Sequence, residues 1–529
     1  MVVRPRGAAF PIILAGLLFS SPVTAQLGKY SLRDLTVIGE FSHITAVATS
    51  TDRVYLSSRA AIVTWNPLER RWAGPWLAPQ PGMLRDVLAG IADQLGGGVW
   101  LVRQAGWVYF DPVGGIWESG TVPGRVLSAA LDDGAPGSGL FLRTTAGWYL
   151  AARGGIATPS GAPMRPVYPA TVEQAARDNP AISATSASLL GLTRFRDVRF
   201  TAAARGSGFT GIGWYIGTFG AGLLFYPDGG GLPEPMPFGL PRGVPTALFP
   251  GNGGVWVATA RSAEADAAVS FVSDDLGSFR WWQGPPATGL PFAAARRMVG
   301  RGDQLWLATD VGAIELRPLQ EEVRRFDYGN GLPDSRVTDL AQRRGVVAIA
   351  TERGVVRWED STGFTAVATD FVSRVDAIAL SGDTTWIGTR LGLYLAVQGN
   401  PSLQEVPGLG ASPSLRIPVV DLAWLADTLV ALAPDRLLWR DPGTGKFTLG
   451  PLLGAPLGRL HTVIAATGGV IVAGQGGVGF TPLESTPARR LGVPGDLPGE
   501  VLDITVEGRH LWIATTAGLV RLALEVLGL

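Results

Sequence analysis

Apolar runs of five or six residues, broken by short polar turns, recur along this chain roughly every forty residues. The clearest copy, LWIATTAGLVRL, begins at Leu511. Close variants begin at Leu305 (LWLATDVGAIEL), Trp386 (WIGTRLGLYL), Tyr215 (YIGTFGAGLLFY) and Val347 (VAIATERGVVRW). Looser copies begin at Val54, Val99, Leu140, Val255, Leu429 and Val470, which makes eleven. Within the unit that starts after Arg336, VTDLAQ alternates apolar and polar residues, as a strand with one covered face does. VVAIAT, VVRW and FTAVAT follow, separated by turns at Arg343–Gly345, Glu352–Gly354 and Thr362–Gly363. The pattern predicts a four-stranded antiparallel meander per unit. Such a sheet has two apolar faces, so neighbours must stack on both, which predicts an all-β β-propeller of about eleven blades.

The turn chemistry agrees. Asn66-Pro67, Asp111-Pro112 and Asp441-Pro442 stand between third and fourth strands, where the carboxamide or carboxylate bonds back to the backbone and proline presets φ. Gly147, Gly312, Gly354, Gly392 and Gly518 stand between second and third strands, where a tight hairpin favours positive φ. Between units, Gly-Leu-Pro recurs from Gly231, Gly239, Gly289 and Gly331.

The segments GNGLPDSRVTDLAQRRGVVAIATERGVVRWED from Gly329 and PGDLPGEVLDITVEGRHLWIATTAGLVRL from Pro494 resemble the propeller repeat of the extracytoplasmic sensor region of two-component regulators. The resemblance runs over nearly all of the chain, faintly in units two, three and nine. It implies an exported sensor-like propeller. In that family a membrane helix and a kinase follow, and neither is expected in this chain, which reaches Leu529 soon after the last repeat. Propellers of bacterial surface secretion machineries look similar too.

The last unit supplies three strands, and residues 30–41 read as a spare fourth that joins it; the alternative is closure of a first ring by that segment. Eleven blades exceed the usual four to eight of one ring, so two rings are expected and one large ring is the alternative. The expected division is a first propeller over 26–290 and a second over 291–529, with a break near 233–245 as a competing place. Residues 159–197 depart from the repeat for about one unit's length. Residues 171–178 are expected to form a short helix with Thr171 as N-cap and Asn179-Pro180 as stop. This insertion reads either as a surface excursion or as a flap over one end of a ring.

Composition narrows the setting. Hydrophobic residues are 46% and charged residues 17%, so a large core can form. Charge is balanced, 44 basic against 44 acidic, which gives no electrostatic reason to expect nucleic acid. Residues 1–25 read as a cleavable signal peptide: Arg4 and Arg6, an apolar run over 8–19, and Val23-Thr24-Ala25 before the cut. The mature chain is expected in the periplasm or outside the cell, without a membrane span. There is no cysteine, which removes disulfides and thiol chemistry.

Candidate chemistry is sparse. His43, His461 and His510 show no metal-ligand spacing, and His510 occupies a turn column expected to be solvent-exposed. Gly206-x-Gly208-x-x-Gly211 lies between strands with no helix following, so it lacks the basis for phosphate binding. Thr444-Gly445-Lys446 reads as a hairpin turn. Ser273-x-Asp275-x-Gly277 resembles an Asp-box, a structural turn. The carboxylate pairs Asp132-Asp133 and Glu321-Glu322 are expected to be solvated. No catalytic, cofactor or metal residue is assigned. The expectation is an exported non-enzymatic propeller that binds an envelope or extracellular protein partner or a glycan-like ligand, in sensing or a secretion assembly. The alternative is a propeller-type carbohydrate-active lyase or hydrolase.

Overall fold

The computed structural model describes residues 30–31, 34–135, 137, 139–185, 199–208, 210–263, 265–284, 289–369, 373–400, 402–407, 416–486 and 489–529. The signal-peptide segment 1–25 lies outside them. The described chain is all-β and contains eleven antiparallel sheets, each starting from an innermost strand; nine run wholly in chain order, one takes its outer strand from Leu35–Ile38 and one gains Pro166–Val167 beside its first strand. We number the sheets in chain order: 1 (46–77), 2 (87–121), 3 (126–160), 4 (199–236), 5 (245–282), 6 (295–326), 7 (337–369), 8 (375–405), 9 (421–452), 10 (460–492) and 11 (501–523). Each contains one of the eleven repeat copies.

The second strand of each unit lies mid-sheet with both faces covered, which is why it reads as an unbroken apolar run. In sheet 7, Val347 to Thr351 are all buried. The repeated AT-x-x-G has a specific cause. Thr144, Thr309, Thr351, Thr389 and Thr515 each end such a strand, and each hydroxyl donates to the carbonyl of the glycine three residues on, at 2.6–3.1 Å. The same oxygen accepts the N–H of the residue between. Gly147, Gly312, Gly392 and Gly518 adopt φ of 127–142° there. A Cβ at Gly312 would also meet the Phe326 carbonyl at 2.1 Å, so glycine is required twice over. Asn66, Asp111 and Asp441 accept backbone N–H groups two residues on at 2.8–2.9 Å, which stops the third strands.

Leu35–Ile38 pairs antiparallel with Gly518–Ala523, Leu35 opposite Leu522 and Ile38 opposite Leu519, and supplies the fourth strand of sheet 11. Its two faces are both used. Leu35 and Val37 pack into the core between sheets 10 and 11, while Ile38 enters a core shared by sheets 1, 4, 5 and 11.

Innermost strands identify the neighbours. That of sheet 5 packs against those of sheets 6 and 11, and sheets 6 to 11 follow one another in order, so sheets 5–11 close a cycle. The innermost strand of sheet 1 packs against those of sheets 2 and 4, and sheets 2 and 3 share a core. Between sheets 3 and 4 comes the insertion. Sheet 3 keeps residues 157–160 as its fourth strand; the chain then returns to add Pro166–Val167 beside the innermost strand of sheet 3. Helix α1 (Val172–Asp178) follows, with the Thr171 hydroxyl capping the Gln174 N–H at 3.1 Å. Ala175 of α1 and Ile182 pack on Trp214, Ile216, Leu224 and Tyr226 of sheet 4. This part of the insertion therefore covers an apolar face of sheet 4.

Candidate functional site

Two cavities are lined by innermost strands, one by those of sheets 1–4 and one by those of the cycle of sheets 5–11. The first, about 710 Å³, is walled by the innermost strands of sheets 1 to 4 and by residues 167–170 of the insertion. Hydrogen bonds stitch its rim. The Thr49 hydroxyl donates to the Arg205 carbonyl at 2.6 Å, and the Gln94 amide donates to the Thr49 carbonyl at 3.0 Å. Asp132 holds the insertion in place. Its carboxylate accepts the N–H groups of Met164 (3.0 Å), Arg165 (3.0 Å) and Gly134 (2.9 Å). Those donors, Met164 first, hold its pKa below the ordinary aspartate value. Asp132 is buried at the end of its strand, which corrects the expectation of a solvated pair: the turn is covered by a segment that local sequence does not announce. Leu95 (70% exposed), Val167 (48%) and Tyr168 (54%) leave an apolar rim. Replacing Asp132 with alanine is expected to raise amide exchange at 164–167 about tenfold or more while the strands of sheet 7 keep their protection, read by hydrogen exchange.

The second cavity, about 780 Å³, lies at the axis of sheets 5–11. At its floor a column of innermost-strand residues carries alternating aspartates. Asp339 accepts the Ile378 N–H at 2.7 Å, Asp421 the Val463 N–H at 2.8 Å, and Asp503 the Leu248 N–H at 2.8 Å. Each bond crosses to the next sheet, and the last joins sheet 11 to sheet 5. Arg297, in the same column of sheet 6, reaches Asp421 at 2.9 Å and Asp339 at 3.3 Å. A register shift at 295/297, 337/339 and 501/503 marks the strands of Arg297, Asp339 and Asp503. Burial pushes the Asp503 carboxyl up to about 6 despite Arg297, and pushes Asp339 up as well.

The sign of that shift makes a prediction. Asp503 is raised in the folded chain, so its contribution favours folding at low pH and is lost as pH rises from about 4 through about 6. Between pH 4.5 and 7.5 the loss is about 2 kcal/mol. Asp503→Asn removes it, so the variant's stability relative to wild type should rise by that amount across the interval in denaturant titrations.

No protein-family model matches the chain, and no curated protein matches it in sequence. Among solved structures it is similar to PorZ, a bacterial surface component of the type-IX secretion system of Porphyromonas gingivalis. Identity is 13%, over 91% of this chain and 74% of that one, with a TM-score of 0.44. The extracellular domain of the putative hybrid two-component system BT4673 from B. thetaiotaomicron is 13% identical over 92% and 77%, TM-score 0.33. Virginiamycin B lyase from Staphylococcus aureus is 15% identical over 53% and 94%, TM-score 0.42. The blade architecture itself rests on the eleven stacked sheets and their packing.

The three histidines are separated. His43 rests edge-on against Phe219, with ring centroids 3.8 Å apart. His461 lines the second cavity; its Nδ1 lies 2.9 Å from the Thr462 hydroxyl, and burial lowers its pKa. His510 corrects its expectation: Nδ1 lies 2.7 Å from Asp274 across 236 residues, because the Asp-box-like turn of sheet 5 packs against sheet 11. That turn is a clamp. Asp275 holds the Gly277 N–H at 2.8 Å and pairs with Arg71 of sheet 1 at 3.0 Å, while the Asp274 carbonyl accepts from Arg521. Gly208 and Gly211 pair in the hairpin of sheet 4, and a Cβ at Gly208 would lie 2.2 Å from the Phe225 ring, so this glycine makes room for packing. Thr444-Gly445-Lys446 closes the turn of sheet 9, Asp441 N–H donating to the Lys446 carbonyl. Among the described residues no helix is long and apolar enough to cross a membrane, and no group of three metal-ligating side chains converges.

Proposed function

We propose that the chain is an exported, non-enzymatic binding module that works in a sensing or secretion assembly of the cell envelope. Its partner, a protein segment or a glycan, sits in the cavity walled by sheets 1–4. One observation carries this reading. The segment that breaks the repeat walls that cavity, is held there by a buried carboxylate, and presents Val167 and Tyr168 at a rim with Leu95. The neighbour packing supports two propellers divided between sheets 4 and 5, near 237–244, with sheets 1–4 and the insertion in one and sheets 5–11 in the other.

The test uses the mature chain and two variants at exposed rim positions, Val167→Asp and Tyr168→Ala, which should fold normally. Wild type is expected to retain a partner from the envelope fraction, or to bind one member of a glycan panel, with both variants at least tenfold weaker. Retention unchanged by either substitution would refute the assignment to this cavity.

A second reading keeps one supporting observation: His461 lines the other cavity together with arginines. A carbohydrate-active enzyme working there would lose activity on a polysaccharide panel in His461→Ala and keep it in His510→Ala, since His510 is engaged with Asp274 elsewhere.

A further inference from the structure

The mouth above the Arg297 floor has a chemistry unlike that of the first cavity. Arg296, Arg374, Arg390 and Arg459 line it, and all four act electrostatically on a single carboxylate, Asp376. Asp376 can pair with two of them: Arg374 Nε lies 3.0 Å away and Arg390 Nε 3.9 Å. Arg296 and Arg459 form no ion pair among the described residues, and both are exposed to the cavity. The lining as a whole carries five arginines and four aspartates, and the three lower aspartates are grouped around Arg297. Asp339 and Asp421 are engaged by Arg297, and these two and Asp503 accept backbone N–H groups. At the mouth itself four guanidiniums face one carboxylate, and the cavity as a whole keeps an excess of one positive charge. Like charges gathered in a concave site repel one another and focus the potential for an anion. Guanidinium is the side chain suited to hold planar or tetrahedral oxyanions through paired N–H donors.

We propose that this mouth is a second binding site, for a ligand bearing two or more phosphate or carboxylate groups, held by Arg296 and Arg459 with Arg374 and Arg390. Asp376 occupies part of the cationic ring and competes with the ligand for Arg374 and Arg390. The site is separate from the cavity of sheets 1–4, so either can fail without the other.

Calorimetric titration of the mature chain with inorganic phosphate, inorganic pyrophosphate and citrate, at low and at high salt, tests it. Saturable binding of pyrophosphate or citrate, tighter than phosphate, is expected, and the preferred probe identifies phosphate or carboxylate as the natural group. The exposed double variant Arg296→Gln/Arg459→Gln should weaken binding at least about tenfold, whereas Arg509→Gln, at an ion pair with Glu525 away from the mouth, should leave it unchanged. Asp376→Asn should tighten binding, an effect that a structural role alone does not produce. Absence of saturable binding of all three probes at low salt overturns the proposal. So does an equal loss in Arg509→Gln, or weaker binding in Asp376→Asn.

Discussion

A chain lacking residues 26–38 is expected to lose the folded state of sheets 5–11. The deleted strand is the outermost of sheet 11, and Ile38 and Leu35 are 1% and 8% exposed. Burying side chains of that size contributes about 2 kcal/mol each, and the four residues of ladder add about 1 kcal/mol per hydrogen bond. The loss is at least about 5 kcal/mol, against a typical total stability of about 5–15 kcal/mol. It also opens a sheet edge whose apolar side chains Leu519, Val520 and Leu522 are fully buried in the intact chain. Gly518 is involved as well, since its Cα hydrogen faces the Ile38 carbonyl where a Cβ would lie 2.8 Å away. Size-exclusion chromatography should show oligomers, and thermal scans should show a transition shifted strongly downward. A peptide spanning 30–41, added in trans, should restore the transition. An unchanged midpoint in the truncated chain would mean that sheet 11 does not depend on this strand.

The second large effect belongs to Arg297→Met. The guanidinium is the cation shared by Asp339 and Asp421 and acts on Asp503 as well, and these partners hold its pKa above the ordinary arginine value. Removing one member of a buried ion cluster costs about 3–5 kcal/mol, because the remaining charges stay desolvated. The cost should depend on pH in a direction fixed by the aspartates. The folded-state pKa values of Asp339 and Asp503 are already raised, Asp503 to about 6, so protonation of these two relieves the unpaired charge as pH falls. Urea titrations should therefore show the full loss near pH 8 and a clearly smaller one near pH 5. A loss that grows toward pH 5 would contradict the electrostatic account.

Much of this architecture is legible in the residues themselves. The period-2 alternation, the mid-sheet apolar runs and the turn dipeptides mark all eleven sheets, because strand pairing within a unit is local and its turns need particular side chains. The Thr-x-x-Gly column shows how far that reading goes. Glycine announces the hairpin through its φ, while the threonine hydroxyl that closes the same turn looks like one more β-branched residue until its acceptor is seen. The Asp132 pair shows the opposite limit. Two adjacent acids at a strand end read as a solvated turn, and only the returning segment 164–167 makes one of them a buried acceptor. His510 is similar, since its partner Asp274 is 236 residues away.

The sequence by itself determined the strands, their grouping in fours, the number of units, the spare strand at the N-terminal end and the helix of the insertion. Each rests on contacts within a few tens of residues or on a residue type that a turn demands. Only the tertiary structure decided which sheets neighbour which, that the insertion covers sheet 4, and that arginines and aspartates meet at the axis of sheets 5–11. The physical reason is that sheet-on-sheet packing uses interchangeable apolar faces, so one sheet's flank does not name its partner. Charges spread over more than 200 residues, Arg297 and Asp503 among them, become one site only when the cycle closes.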